Sequence, residues 1–431
     1  MNELGPSPLA AGERNLSVDE ARAAIAAALV PLARSESREL PLAEAAGRVL
    51  AADVISPIDV PAYDNSAMDG YAFAGAALAA GAPTVLRAAG IVFAGKPFTG
   101  AVATGHCVRI MTGAMMPVGA DTVVPLELAQ VDGSPESGLV NIAPGVIRPG
   151  ENRRRQGEDL ARGRPALTAG RVLRPADLGL VASLGMTTLR VMRPLRVALF
   201  STGDEVVEPG APLPAGCIYD SNRFSLGAAV RRLGMEVVDL GLVRDDPQAL
   251  ASVVQRAVRE ADVVITSGGV SAGDADYTRE ILARHGEVGF WKVAMRPGRP
   301  FAFGPLRRPG SEAPSWLFGL PGNPVAALVT FYAFVREALL VLAGAAPAPL
   351  PVLTARSAAA IRKRPGRTEF QRAIVEPAAE GGGWQVRLSG SQGAGVLRSM
   401  SEANALVVLG HGQGSVAAGE PVAVWLFEGL V

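Results

Sequence analysis

Glycines, acids and bases that could together bind an anion lie between Asp262 and Phe303. The β-branched run Val263 to Ile265 is typical of a buried parallel strand, and it ends in Thr266-Ser267-Gly268-Gly269. Glycines at this point let backbone N–H groups approach an anion closely. Asp274 and Asp276 follow at the predicted start of a helix, where the helix dipole favours carboxylates. Three basic residues come on and after the next predicted strand: Lys292, Arg296 and Arg299.

This arrangement is typical of a phosphate or oxyanion site with a metal ion nearby. For the glycine pair alone, an ordinary strand–turn–helix with solvated charges remains an equal alternative, because glycine pairs are common in turns. Two further loops strengthen the first interpretation. Ser201 to Glu205 follows the predicted strand Val197 to Phe200, and Gly319 to Pro324 precedes a long apolar helix. Because ligands of open parallel sheets bind beyond the carboxyl ends of the strands, all three loops are expected at one edge.

Bulk composition excludes several classes of function. The 431 residues carry 41 basic and 41 acidic side chains, which indicates neither a nucleic-acid partner nor an anionic membrane surface. The two cysteines and three histidines have no zinc-ligand spacing and form no catalytic triad. Neither a P-loop nor a dinucleotide fingerprint is present. The chemistry is therefore expected to be metal-assisted transfer at a phosphate, with carboxylates holding Mg²⁺.

The predicted location is the cytoplasm. Few cysteines suit a reducing compartment, and the polar stretch Met1 to Asn15 does not resemble a secretory signal. The longest apolar run, Pro324 to Leu342, is interrupted by Arg336 and Glu337, which predicts a buried helix and no membrane span.

The predicted fold class is α/β and multidomain. Strands alternate with helices from Leu195 onward, which indicates a doubly wound, mostly parallel sheet. Closely spaced turns and short β-rich runs between residues 60 and 160 predict a β-rich domain, and five short strands after residue 350 predict a small β-barrel or sandwich. The predicted segments are a tail 1–15, a linking helical domain 16–45 plus 164–194, a β-rich domain 46–163, the α/β domain 195–345 and the barrel 346–431.

Four long motifs in this order resemble one known family. They are Pro61–Ala72 (PAYDNSAMDGYA), Gly150–Asp159 (GENRRRQGED), Ser267–Tyr277 (SGGVSAGDADY) and Gly319–Pro324 (GLPGNP). Together they resemble the MoeA family of molybdopterin molybdenumtransferases, which includes the E domain of gephyrin. The resemblance implies an elongated four-part subunit and a homodimer with the active site between subunits. It also implies Mg²⁺-dependent insertion of molybdate into adenylylated molybdopterin, with release of AMP.

The resemblance also assigns roles to residues of this chain. Acids and one hydroxyl are expected to be catalytic: Asp69, Thr112, Asp159, Glu205, Asp245 and Asp276. Substrate-binding residues are expected in the three sheet-edge loops, the basic segment and the barrel: Ser201, Thr202, Gly203, Ser267, Gly268, Gly269, Ser271, Lys292, Arg296, Arg299, Pro321, Pro324 and Arg372. Mg²⁺ is expected on Asp274 and Asp276.

Two departures from the family pattern leave alternatives open. Many relatives have lysines where this chain has Arg296 and Arg299, and many have a serine where Ala394 stands. Arginine keeps the charge and can bind two oxyanion oxygens at once, but the hydroxyl is lost unless Ser391 or Ser399 replaces it. A non-catalytic pterin-binding scaffold and a tungstate-preferring insertase are the two alternatives. A separate molybdopterin adenylyltransferase is a possible docking partner.

Overall fold

The structure is a computed structural model that describes residues 15–32, 36–269, 281–282, 284–346, 350–379 and 381–429. The chain divides into two compact units. The larger comprises residues 1–52, 169–174 and 188–431, and the smaller comprises residues 53–168 and 175–187. The domain boundaries expected from the sequence stay predictions.

A seven-stranded sheet forms the centre of the larger unit. Its strands are, in spatial order, Asn15–Leu16, Gly289–Val293, Pro300–Leu306, Ser315–Leu320, Val263–Ser267, Arg196–Thr202 and Glu236–Val243. The last four are parallel to one another, which confirms the predicted doubly wound core. Pro300–Leu306 runs antiparallel to both of its neighbours, so the sheet is mixed at that side.

Side chains alternate between two apolar cores because successive strand residues point to opposite faces. Val197, Leu199, Val263 and Ile265 pack on one face with helix Asn222–Arg232 and the segment 324–342. Ala198, Phe200 and Val264 pack on the other face with helix Pro247–Glu260. This helix begins at a side-chain cap, because the Asp246 carboxylate accepts from the backbone N–H of Ala249 at 2.7 Å and Pro247 follows.

The longest apolar run is a core helix, as predicted. It consists of α-helix Pro324–Thr330, a π-helical turn Phe331–Val335 and α-helix Arg336–Leu342. One helix in the described part of the chain, Pro324–Leu342, is long and apolar enough to cross a membrane, but 72% of that stretch is buried inside the fold. The helix predicted over Tyr277 to Arg284 begins outside the described residues.

The C-terminal part of the larger unit is a closed five-stranded barrel, as predicted. Its strands are Leu353–Ser357, Thr368–Pro377, Trp384–Leu388, Ala405–Leu409 and Pro421–Leu426. Thr368–Pro377 pairs with both Trp384–Leu388 and Ala405–Leu409, which closes the barrel. The short strand Met295–Arg296 lies parallel to the start of Thr368–Pro377. It joins the barrel to the connection between Gly289–Val293 and Pro300–Leu306 of the central sheet. Helix Leu397–Glu402 completes this part.

The remaining elements of the larger unit are one helix, two short strand pairs and two 3-10 turns. Helix Val18–Ala28 begins with a capping box in which Ser17 and Glu20 bond each other's backbone, as the sequence predicts. Strands Ser37–Pro41 and Thr188–Met192 form an antiparallel pair, and Leu42–Glu44 is a 3-10 turn. Val206–Val207 and Ile218–Tyr219 form a short parallel pair, and Phe427–Gly429 is a second 3-10 turn.

The smaller unit is β-rich, as predicted. Its six-stranded sheet contains, in spatial order, Thr122–Pro125, Gly70–Phe73, His106–Ile110, Thr84–Val92, Leu139–Ile142 and Ala129–Asp132. Two short antiparallel pairs accompany it, Asn65–Ser66 with Arg153–Arg154 and Val54–Ile55 with Pro165–Leu167. The other elements are 3-10 turns Gly75–Ala77 and Leu126–Leu128 and helix Pro175–Ser183.

Candidate functional site

A cleft of about 700 Å³ lies in the larger unit where the parallel strands end. Strands Arg196–Thr202, Val263–Ser267 and Ser315–Leu320 all lead into it, as the sheet-edge argument predicts. The structure brings together twelve of the predicted site residues along its wall: Ser201, Thr202, Gly203, Glu205, Asp245, Ser267, Gly268, Gly269, Arg296, Arg299, Pro321 and Pro324. Their individual roles stay predictions.

Gly268 allows two strand ends to approach each other at the base of this cleft. Its φ of +92° is a conformation that L side chains rarely adopt. A Cβ placed there would lie 2.5 Å from the backbone oxygen of Thr202 and 2.9 Å from its hydroxyl oxygen. The Gly268 N–H donates to the backbone oxygen of Leu320 at 3.1 Å. The three predicted loops are therefore held together by a contact that only glycine permits.

Asn222 was not among the predicted site residues, although it lines the cleft. Its amide nitrogen donates to the Ser267 hydroxyl at 2.7 Å and to the Gly322 carbonyl at 2.6 Å. Since a carbonyl can only accept, the Gly322 contact fixes which end of the amide is nitrogen. The Asn222 side chain thus connects the helix that starts at this residue to two of the cleft loops. In the sequence, Asp220-Ser221-Asn222 is typical only of a helix start, so nothing there indicates that Asn222 bonds to the cleft loops.

Asp220 also lines the cleft and belongs to a charged network. It is 4% exposed and accepts from the Ser201 hydroxyl and from the Arg223 guanidinium, each at 3.1 Å. Arg223 also donates to Asp239 at 2.7 and 2.8 Å and pairs with Glu208. Burial lowers the pKa of Arg223, but the bonds to Asp239 and Asp220 outweigh this and leave the pKa above its ordinary value. Asp220 therefore positions Ser201 at the cleft wall, and its own charge is compensated by Arg223.

The basic segment of the cleft is presented by a tight turn. Arg296 and Arg299 are exposed, and Pro297 and Gly298 between them are buried. Gly298 has a φ of +97°, and a Cβ there would lie 2.3 Å from the Thr330 hydroxyl oxygen. The turn is thus packed against the core helix while both guanidinium groups stay at the cleft. This placement agrees with the predicted oxyanion contact of the two arginines.

Arg372 is fully buried and holds a barrel loop. It donates to the Ser399 hydroxyl at 3.1 Å and to the backbone oxygens of Ser391, Gly393 and Gln392 at 2.8, 2.9 and 3.3 Å. The loop also accepts a bond from the core helix, because the Val325 N–H donates to the Ala394 oxygen at 3.1 Å. The predicted anion contact of Arg372 stays a prediction, while its guanidinium has a structural task that the sequence did not indicate.

The remaining predicted residues of the larger unit lie elsewhere. Lys292 is on strand Gly289–Val293, beside Pro300, and is not part of the cleft wall. Ser271, Asp274 and Asp276 fall outside the described residues, so the predicted Mg²⁺ ligands are not placed.

Three carboxylates line the cleft: Glu205, Asp220 and Asp245. Asp220 is paired with Arg223, so Glu205 and Asp245 are the two that could contact Mg²⁺. The described part of the chain contains no group of three or more histidine, cysteine or acidic side chains arranged for a metal. Mg²⁺ commonly uses one or two protein carboxylates and completes its shell with water and substrate phosphates. The donor set of the cleft therefore suits Mg²⁺ bound together with a phosphate-bearing ligand.

The smaller unit brings Asp69 and Thr112 together. The backbone N–H and the hydroxyl of Thr112 both donate to the same carboxylate oxygen of Asp69, at 2.6 and 2.7 Å. These two bonds, the backbone one first, hold the pKa of Asp69 below its ordinary value. Asp159 lies in a separate turn, and its backbone N–H donates to the Val60 carbonyl oxygen at 3.1 Å. Nearby, Arg153 pairs with Asp64 at 2.7 Å.

Comparison with protein families gives three consecutive matches. Residues 16–185 match the MoeA N-terminal region (domain I and II), residues 198–341 a probable molybdopterin binding domain, and residues 354–427 the MoeA C-terminal region (domain IV). The chain is 42% identical to the molybdopterin molybdenumtransferase of Haemophilus influenzae, over 92% of this chain and 95% of that protein. It is 38% identical to molybdopterin molybdenumtransferase 2 of Mycobacterium tuberculosis, over 90% and 94% of the two chains.

Solved structures give the same result for the fold. A crystal structure of the molybdopterin biosynthesis MoeA protein from Pyrococcus horikoshii OT3 superposes with a TM-score of 0.79 at 26% identity. That comparison covers 96% of this chain and all of the other. Another crystal structure of a molybdopterin biosynthesis MoeA protein from Pyrococcus horikoshii has a TM-score of 0.71 at 30% identity, over 96% of this chain and 99% of the other.

Proposed function

Because the chain belongs to the MoeA family, we propose that it is a molybdopterin molybdenumtransferase, which inserts molybdate into adenylylated molybdopterin and releases AMP. The observation that carries this function is the cleft at the carboxyl ends of the parallel strands, where the family motifs Ser267–Gly269 and Gly319–Pro324 meet the basic turn Arg296–Arg299. The near-complete coverage of relatives that bear this name supports activity rather than a non-catalytic scaffold.

The cleft offers separate groups for the two anionic substrates. Hydroxyls and backbone of the Ser201–Gly203 and Ser267–Gly269 loops bind the pterin phosphate and the adenylate, as such loops do at sheet edges. Arg296 and Arg299 bind molybdate, since a guanidinium can donate two parallel bonds to a tetrahedral oxyanion. Molybdate is thus held beside the dithiolene while the adenylate lies within the same cleft.

Release of AMP requires that a phosphorus–oxygen bond of the pyrophosphate breaks and that an oxygen nucleophile replaces it. Glu205 and Asp245 are exposed at the cleft and accept the proton of that nucleophile or orient it. When Mg²⁺ is bound, it neutralises charge on the pyrophosphate, and Glu205, Asp245, Asp274 and Asp276 are the residues proposed to hold it.

Asp69, Thr112 and Asp159 are proposed to act in a homodimer, across the subunit interface from the cleft. Asp69 is a charged carboxylate at neutral pH, and its two bonds from Thr112 hold its pKa below the ordinary value and fix its orientation. The enzyme is proposed to be cytoplasmic and to receive its substrate from a molybdopterin adenylyltransferase.

The test is AMP release from adenylylated molybdopterin by the purified protein, with and without molybdate, in the presence of Mg²⁺ or EDTA. The expected result is release that molybdate stimulates and EDTA abolishes, and that Glu205→Gln and Asp274→Ala reduce at least about 100-fold. Asp246→Asn is the matched acid control, because Asp246 caps a helix and lies outside the cleft wall. Tight substrate binding without turnover under any oxyanion would refute the proposal.

A further inference from the structure

Three side chains that line the cleft at the ends of the strands can accept hydrogen bonds from a ligand but have no proton left to donate. They are Ser201, Ser267 and Asn222, which are 3%, 2% and 7% exposed. Ser201 and Ser267 are register partners on neighbouring parallel strands, so they lie side by side, and Asn222 bonds to Ser267. We call these three side chains the acceptor cluster.

The proton of the Ser201 hydroxyl is held by Asp220. The hydroxyl donates to this carboxylate at 3.1 Å, and the carboxylate also accepts from the Arg223 guanidinium at 3.1 Å and from the backbone N–H groups of Asn222 and Arg223 at 3.1 and 3.2 Å. A carboxylate can only accept, and a hydroxyl has a single proton, so Ser201 cannot also donate to a ligand. In the described part of the chain no donor bonds the Ser201 oxygen, and its lone pairs are available at the cleft.

Ser267 and Asn222 have the same polarity toward the cleft. The Asn222 amide nitrogen donates to the Ser267 hydroxyl oxygen at 2.7 Å and to the Gly322 carbonyl at 2.6 Å, which uses both of its hydrogens. The Ser267 hydroxyl donates its own proton to the Pro321 carbonyl at 3.3 Å. The Asn222 amide oxygen has no partner within the described part of the chain. Because buried acceptors without a donor are rare in folded proteins, this oxygen in a cleft-lining residue points to a donor on the ligand.

We propose that the acceptor cluster binds an amino group on a fused heterocycle of the substrate and distinguishes it from an oxo group. This inference rests on the proposed function. Adenylylated molybdopterin carries such a group on its adenine and on its pterin, and each presents N–H donors to acceptors of this kind.

The anionic parts of the substrates have the opposite polarity. Phosphate and molybdate oxygens accept hydrogen bonds, so they repel the lone pairs of the acceptor cluster. They are left to the backbone N–H groups of the cleft loops and to Arg296 and Arg299, which can only donate. The acceptor cluster therefore fixes the orientation of the substrate by binding its heterocycle at the strand ends.

The first test uses the whole protein and two pairs of probes in EDTA. Isothermal titration calorimetry compares AMP with IMP and pterin with lumazine, since the second member of each pair has an oxo group where the first has an amino group. We expect the amino member of one pair to bind at least about tenfold more tightly, because its oxo analogue leaves buried acceptors unpaired. The pair that shows this preference identifies the heterocycle that the acceptor cluster binds.

Two variants of Ser201 tie this preference to the acceptor cluster. Ser201→Ala deletes the acceptor, and Ser201→Cys keeps a similar shape but offers only a weakly accepting sulfur. Each should reduce the preference for the amino probe at least about threefold. Ser225→Ala is the matched control and should leave it unchanged, because the Ser225 hydroxyl donates to the backbone oxygen of Asn222 at 3.1 Å from outside the cleft wall.

The second test is kinetic. In AMP-release assays, Ser201→Ala should raise KM for adenylylated molybdopterin at least about fivefold, with kcat changed less than about twofold and KM for molybdate unchanged. This split is expected because a contact to the heterocycle is the same in the bound substrate and in the transition state. A general disturbance of the cleft would lower kcat and alter KM for molybdate as well.

Equal binding of the amino and oxo members of both pairs would overturn the proposal, as would a preference that both Ser201 variants retain. An effect of Ser201→Ala that appears only with Mg²⁺ and is absent in EDTA would assign the acceptor cluster to the metal ion and overturn it too. If the wild type prefers an amino probe through Ser201 but releases no AMP, the acceptor cluster stands and the proposed function fails. AMP release without any such preference would refute the acceptor cluster alone, so the two failures are distinguishable.

Discussion

The contact at Gly268 leads to a specific prediction for Gly268→Ala. The new Cβ would lie 2.5 Å from the Thr202 backbone oxygen, and the residue would keep a φ of +92°. A non-glycine residue in such a conformation costs about 1–3 kcal/mol, and the overlap with backbone costs about another 1–3 kcal/mol. Reduced freedom of the unfolded chain offsets about 0.4–1 kcal/mol of this. The expected loss of unfolding free energy is therefore about 1–5.5 kcal/mol.

The same substitution at Gly322 is the matched control. Gly322 lines the same cleft, but its nearest neighbour to an added Cβ is the Gly268 Cα at 3.8 Å, an ordinary contact. Gly322→Ala should change stability by no more than about 1 kcal/mol. Urea unfolding followed by circular dichroism measures both variants, and AMP release reports the cleft. Gly268→Ala should also lose most activity, because its clash separates two substrate-binding loops.

A Gly268→Ala variant with the stability and activity of the wild type would refute this reasoning. It would mean that the strand ends can separate without cost and that the glycine is not needed for their approach.

Three other predictions follow from single contacts. Asp262 is 2% exposed and accepts from Arg193 at 2.6 and 2.9 Å and from Arg308 at 3.0 Å. Asp262→Asn should therefore lower the unfolding free energy by about 2–4 kcal/mol, measured by urea titration at pH 7. Burial raises the pKa of Asp262, but its bonds to Arg193, the Arg196 N–H and Arg308 leave that pKa below the ordinary 3.8. The stability that the carboxylate contributes is therefore present above pH 3.8 and is lost as the pH falls through the folded-state pKa. The difference in unfolding free energy between wild type and Asp262→Asn should accordingly narrow below pH 3.8. Thr112→Val should raise the pKa of Asp69, because the substitution removes the hydroxyl that donates to this carboxylate. Carbon-13 NMR titration of the Asp69 carboxyl measures this change, and an unchanged pKa would contradict the account. Arg372→Ala should lower the unfolding free energy by about 2–4 kcal/mol, because the carbonyls of the buried barrel loop lose their donor. Urea unfolding measures this loss, and an unchanged midpoint of the urea transition would contradict the anchoring role of Arg372.

Local signals in the sequence predicted most elements of the fold. Asp246-Pro247 marks the start of a helix by a cap and a pre-set φ, and short apolar runs separated by turn residues predicted the five strands that form the barrel. The cleft loops were predicted for the same reason, because each directly follows or precedes a strongly apolar element. Parallel topology then places such loops at one edge without further information.

Features that depend on distant partners were not predictable in this way. The two-residue strand Asn15–Leu16 pairs with Gly289–Val293, more than 270 residues away, and residue 15 had been assigned to the tail. The direction of Pro300–Leu306 is not encoded in its own composition. The burial of Arg372 and the bridging role of Asn222 arise from loops that meet only in the folded chain. Sequence motifs located the site, while its internal connections required coordinates.

The central claim is that cleavage of the adenylate is coupled to insertion of molybdenum. The most direct measurement determines, in one single-turnover reaction with adenylylated molybdopterin, Mg²⁺ and molybdate, the AMP released and the molybdenum that stays with the isolated pterin, by chromatography and elemental mass spectrometry. The account predicts one molybdenum atom per AMP at every time point, and no more than slow AMP release without molybdate. Rapid AMP release that leaves a metal-free pterin in the presence of molybdate would contradict it.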